Sequence, residues 1–164
     1  MGNAGLLQQS KTTSIDLIYD ELSRGIEYQR DALEALQNKA GTLLGFSGAI
    51  LALLFSSIKD QNIPVSAQQS MIFGVGLAIC AILLGAMVFW SRRLRIDPAP
   101  HILLHKYYDK PHEETITQIA VNRAEAFEQN FYQIERIALI LRVAMLLQTL
   151  SIICIALAIV FIVS

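Results

Sequence analysis

The residues with the most chemical potential gather after position 91. Arg92, Arg93, Arg95, Lys106 and Lys110, with Arg123 further on, could hold an anion, and Tyr107 and Tyr108 offer ring faces on which a base could stack. A phosphate-bearing second messenger would suit such a set. A plainer reading fits the same residues: Lys and Arg kept on the inner side of a membrane, near anionic lipid heads. His101 and His105 stand four apart, the spacing at which two imidazoles on a helix can share a metal. No acid stands at the spacing that a hydrolytic metalloprotease would need, and two interfacial histidines are the simpler account, so no metal is expected. The chain has no Walker loop, no Gly-x-Ser-x-Gly, no His-Glu-x-x-His and no paired-cysteine zinc pattern. The sequence therefore points away from catalysis and names no cofactor.

The elements that must position these residues follow from the distribution of charge. The chain has 164 residues, 54% of them hydrophobic and 16% charged. A soluble domain usually carries about 25%. Residues 40–58, 61–91 and 143–164 contain no Asp, Glu, Lys or Arg at all. A soluble globule does not segregate its charges in this way, and the length excludes a multidomain enzyme. Three transmembrane helices are expected, at about 40–58, 71–90 and 143–164. The first would measure about 28 Å, against a hydrocarbon core of about 30 Å. Phe89 and Trp90 end the second as an interfacial aromatic belt would. Cys80 and Cys154 both fall inside spans and read as small apolar residues with free thiols.

The basic cluster Arg92, Arg93, Arg95 sets the orientation. It should stay cytoplasmic, which puts the N-terminus on the same side and the C-terminus outside. Residues 1–39 then form a cytosolic tail and amphipathic helix, and 40–91 a transmembrane hairpin. Residues 92–142 form a cytosolic basic segment and long helix, and 143–164 the third span.

In the first helix Ile15, Ile18, Leu22, Ile26, Leu33 and Leu36 fall near one face. No proline separates it from the first span, so one helix from about 14 to 58 is expected, with Gly41 a point where it could bend. From Glu113 onward Ile116, Ala120, Ala124, Phe127, Phe131, Ile134 and Ala138 make an apolar stripe that reads as buried. That helix can run unbroken into the third span. The fold class expected is an all-α membrane protein whose first and last helices extend into a cytosolic helical bundle.

Two features inside the spans bear on function. Gly41, Gly45 and Gly48 lie in the first, and Gly41 and Gly45 form a small-xxx-small pair that lets helix backbones approach closely. The contact could be between subunits or within the three-helix unit. Gln148, two turns beyond Arg142, is polar at a depth where side chains seek water or a partner. It could line a pore in an oligomer, or hydrogen-bond a neighbouring helix.

The order of these features resembles a known group. An amphipathic helix runs into Asn38-Lys39-Ala40-Gly41-Thr42-Leu43-Leu44-Gly45, a second span and a polar insert follow, and a long helix with an Asn- and Glu-bearing half at 122–136 enters the last span. This layout is similar to the small transmembrane effectors of bacterial nucleotide-signalling antiphage systems, the SLATT and Pycsar-type membrane effectors. The resemblance implies a homo-oligomeric effector of the cell inner membrane. On its cytosolic side it would take a cyclic nucleotide or related signal, and it would then perturb or permeabilise the bilayer. Its partners would be lipid, copies of itself and that signal, with no nucleic acid polymer. Two other functions suit the residues: a non-conducting scaffold that recruits a protein through its cytosolic helices, and a small constitutive channel subunit.

Overall fold

The computed structural model describes residues 14–57, 64–90, 94–95, 105 and 109–163. Those residues form three helices: α1 (Ser14–Ser57), α2 (Val65–Phe89) and α3 (His112–Val163). All three are long and apolar enough to cross a membrane. The expected all-α membrane fold is thus the observed one.

Local chemistry explains where the helices begin and end. α1 has Asp16 in its first turn, where a negative charge meets the positive end of the helix dipole, and no proline interrupts it. It passes through Gly41 as one helix. α2 starts at Val65, six residues before the span expected from hydropathy. The reason is Pro64, which stands at the N-cap with φ −57° and ψ 146°. Its carbonyl accepts the first helical bond, from Gln68 N at 3.0 Å. Residues 65–70 are polar or small but carry no charge, so nothing stops the helix from opening there. Trp90 closes α2, its N–H donating to Ala86 O at 3.3 Å, and it is 91% exposed. α3 follows Pro111, which receives Thr115 N at 3.0 Å, and has Glu113 and Glu114 in its first turn.

The chain divides into two compact units. One contains the described residues up to 31 and those from 94 to 133, here called the polar unit. The other contains 32–90 and 134–163, the membrane unit. α1 and α3 contribute to both.

In the membrane unit each helix buries a seam with a repeat of 3.5 residues. On α2 it is Ala67, Met71, Gly74, Ala78, Ala81, Gly85 and Val88. On α1 it is Leu33, Ala40, Ser47 and Leu54, each seven apart, and on α3 Ile137, Leu141, Ala144, Gln148, Ser151, Ile155 and Ala158. A sustained heptad is the pattern of helices wound left-handedly about one another. Most seam residues are Ala, Gly or Ser. Among lipid tails the drive for association is packing and hydrogen bonding, so small residues that admit a neighbouring backbone are what hold such a unit together. Leu54, Met71, Ile155 and Ala158 form a cluster at one end of it. Ser47 meets Gln148 and Leu54 clusters with Ile155, so α1 and α3 run parallel; Gly85 meets Leu44 and Met71 clusters with Leu54, so α2 runs antiparallel to both.

In the polar unit the buried residues of α3 are Ala120, Ala126 and Asn130, with Phe127 half-buried. This corrects the expected stripe: Ala124 and Phe131 are exposed. The stripe assumes that the most apolar side chains of a 3.6-residue helix face inward. The helix instead turns a polar residue, Asn130, inward, because its amide has a specific partner described below.

Candidate functional site

In the polar unit α1 and α3 meet through polar side chains. Arg123 of α3 is half-buried. Its guanidinium carbon lies 4.3 Å from the centre of the Tyr19 ring, and its Nη1 donates to Ser23 Oγ. A cation over an aromatic face contributes about 0.5–2 kcal/mol, most when water is excluded. Four residues on, Phe127 lies against Gly25, where an added Cβ would come within 2.9 Å of the Phe127 ring. The Phe127 carbonyl accepts Gln29 Nε2 at 2.9 Å. The other amide atom of Gln29, Oε1, is buried without a partner.

One turn beyond Phe127, Asn130 is fully buried. Its Oδ1 accepts the backbone N–H of Arg95 at 2.9 Å, and its Nδ2 donates to the backbone carbonyl of Arg95 at 3.0 Å. The side chain of Arg95 reaches Gln129 Oε1 with Nη1 at 3.0 Å. Arg95 and Arg123 are therefore both anchored along α3, about two turns or roughly 10 Å apart. Of the other anion-site candidates, Arg92, Arg93, Lys106 and Tyr107 lie outside the described residues, as do Tyr108 and His101. Lys110 pairs with Glu114 on the surface. His105 is exposed, and among the described residues no group of three or more His, Cys, Asp or Glu could hold a metal.

The membrane unit has its own polar layer. Ser47 Oγ lies 2.7 Å from its own Leu43 carbonyl and 2.8 Å from Gln148 Oε1. A hydroxyl has one proton, so it can serve only one of these acceptors at a time. Gln148 is 3% exposed and its Nε2 has no partner. One turn on, Ser151 Oγ donates to the Gly74 carbonyl of α2 at 2.7 Å.

Gly74 makes that bond possible. A Cβ there would stand 2.9 Å from Ile155 Cγ1, 3.2 Å from the Ser151 carbonyl and 3.3 Å from Cys154 Cβ. Gly85 is similarly crowded by Leu44. Gly41 has Phe89 at an ordinary 3.6 Å, whereas Gly45 and Gly48 have nothing within 4 Å. Within one chain, close approach is thus served by Gly74 and Gly85, and Gly45 and Gly48 face open space.

A family model described as the Pycsar effector protein domain matches residues 21–164. The chain belongs to the Pycsar effector family. No curated protein and no solved structure matches it. As a Pycsar effector with three membrane-crossing helices, it is a membrane protein of antiviral defence.

In this Pycsar effector the polar unit holds a guanidinium, and the membrane unit holds a neutral amide–hydroxyl layer. Tyr19, Ser23, Gln29 and Asn130 are the partners that the sequence reading did not single out. Tyr19 and Ser23 stand four apart beside the apolar face of α1, and Asn130 interrupts the apolar run of α3. Those were the available signals.

Proposed function

We propose that this Pycsar effector is a homo-oligomer of the cell inner membrane that permeabilises the bilayer when a nucleotide second messenger binds its cytosolic side. The observation that carries the reading is the membrane unit. Its three helices enclose a layer of Ser47, Gln148 and Ser151, neutral and polar, with the Gln148 amide nitrogen unpaired. In lipid an unpaired polar group seeks water or another chain. Turned to face water when the helices rearrange, these amides and hydroxyls would pass water and small ions without strong charge selection.

The basic residues after α2, and the parallel course of α1 and α3, favour a cytoplasmic N-terminus and an outer C-terminus. Arg123, held by Tyr19 and Ser23, is the described residue best suited to sense an anion, with Arg95 two turns away. A nucleotide phosphate would offer the guanidinium a stronger acceptor than a serine hydroxyl, and the base could take the Tyr19 face. Arg92, Arg93, Lys106 and Tyr107 would add charge and stacking from the adjoining segment. No step in this reading is catalytic.

The test is reconstitution of the full chain into dye-loaded vesicles, followed by addition of cyclic mononucleotides one at a time. Release with one nucleotide and not with the others is the expected result. Silence with every cyclic nucleotide, in vesicles where the protein is inserted, would count against the activity. The scaffold reading draws on Leu17, Tyr28, Val121 and Tyr132, large apolar or aromatic side chains exposed in the polar unit. A stable co-purifying protein with tight vesicles would favour it.

A further inference from the structure

The membrane unit leaves two helix faces unpartnered, and they match each other. On α1 the outward positions Glu34, Asn38, Gly41, Gly45, Gly48 and Ala52 step by 4, 3, 4, 3 and 4. All but the half-buried Gly41 are exposed. Gly45 and Gly48 meet nothing within 4 Å, so the face is a shallow groove with a carboxylate at one end. On α3 the outward positions Arg136, Leu139, Val143, Leu146, Leu150 and Ile153 step by 3, 4, 3, 4 and 3, and every one is exposed. This face is a ridge of branched side chains with a guanidinium at one end.

The two faces also lie at equal depth. Within one chain Ser47 of α1 touches Gln148 of α3, an offset of 101 positions. Glu34 and Arg136, Gly41 and Val143, and Gly48 and Leu150 are each separated by 102 positions. α1 and α3 run parallel, so in two copies inserted the same way the groove of one lies alongside the ridge of the other, level by level. Branched knobs then enter a glycine groove, the packing by which helices associate in lipid. Glu34 meets Arg136.

We propose that the α1 groove of one copy seats the α3 ridge of a second copy, head to tail. The proposal rests on the homo-oligomeric reading above and names its interface. Charge selects this pairing over its rivals. Two α1 faces would oppose Glu34 to Glu34, and two α3 faces would oppose Arg136 to Arg136 as well as ridge to ridge. A contact between unlike faces repeats from copy to copy, so it builds a ring where the rotation closes. Each copy uses both faces, and a dimer leaves one of each open.

The experiment uses the full chain with Cys80→Ala and Cys154→Ala as background. Two differently tagged versions, one with Gly48→Cys and one with Leu150→Cys, are co-expressed and treated in the membrane with a membrane-permeant oxidant. The expected result is a disulfide heterodimer at least tenfold more abundant than with Gly48→Cys opposite Ile152→Cys, which lies on another face of α3. Equal yields for the two pairs, or a predominance of Gly48→Cys homodimers, would overturn the interface. Independently, Glu34→Arg or Arg136→Glu alone should lower the oligomeric fraction about threefold, and the two combined should restore it. Failure of the combined variant to exceed both single variants would also overturn it. Dye release without the 48–150 bond would sink the interface and leave the activity standing. The bond without release at any nucleotide would do the reverse.

Discussion

The side-chain amide of Asn130 grips both backbone polar groups of Arg95, accepting its N–H at 2.9 Å and donating to its carbonyl at 3.0 Å. A primary amide presents a donor and an acceptor side by side, so it can pair with an extended residue much as a neighbouring strand would. The residue so held belongs to the short stretch that follows α2. Each buried group left unpaired would cost about 1–3 kcal/mol.

Asn130→Leu should therefore free Arg95 while leaving α3 helical. Limited trypsin digestion of the protein in detergent reads this directly, since Arg95 supplies the cleavage site. Cleavage after Arg95 should quicken by about tenfold or more, following the two lost bonds. An unchanged rate would mean that other contacts hold Arg95.

Gly74→Leu should unseat α2 from α3, because even a Cβ there falls 2.9 Å from Ile155 and 3.2 Å from a backbone carbonyl. Overpacking of this kind costs about 1–3 kcal/mol. Thermal unfolding in detergent should show the loss. Gly76→Leu is the control, since nothing lies within 4 Å of that position.

Gln148→Leu separates stability from function. It removes an amide whose N–H is unpaired, and Ser47 keeps the Leu43 carbonyl as its acceptor at 2.7 Å. Stability should change by less than about 1 kcal/mol, because such interhelical bonds are worth about 0.6 kcal/mol on average. Dye release should fall severalfold if the polar layer meets water in the active state.

Arg123→Ala should weaken nucleotide activation by about tenfold or more, the loss of one charge-assisted bond of about 1.5–3 kcal/mol. Tyr19→Leu should weaken it too, since the ring that holds the guanidinium is also the face proposed for the base. A dose-response curve of vesicle release reads both, and equal curves for wild type and Arg123→Ala would remove this residue from the sensing site.

The broad architecture was legible because charge is a strong signal. Three uncharged blocks announce three helices that suit a bilayer, and the absence of proline between 12 and 57 announces one long α1. The packing faces were harder. α2 is apolar all round, so contrast between faces cannot show which side is buried. Only the recurrence of Ala and Gly at 4, 3, 4, 3 marks it. On α3 a reading by hydrophobicity chose Phe131 over Asn130, since an amide is presumed to face water unless its partner is known. That partner is a backbone in a distant part of the sequence, which no local pattern reveals. Gly41 and Gly45 stood out as a small-xxx-small pair, whereas Gly74, whose match is Ser151, did not.

The Ala and Gly seam of α2 also fixes how this protein tolerates change. In an ordinary core, harm comes from truncation, since every large side chain removed leaves a hole. Here Ala67, Gly74, Ala78, Ala81 and Gly85 have almost nothing to remove. A saturation scan of α2 should thus be lopsided. Its inward positions should reject any gain in volume, and its outward positions should accept almost any apolar residue, so selection on this helix acts as an upper limit on size.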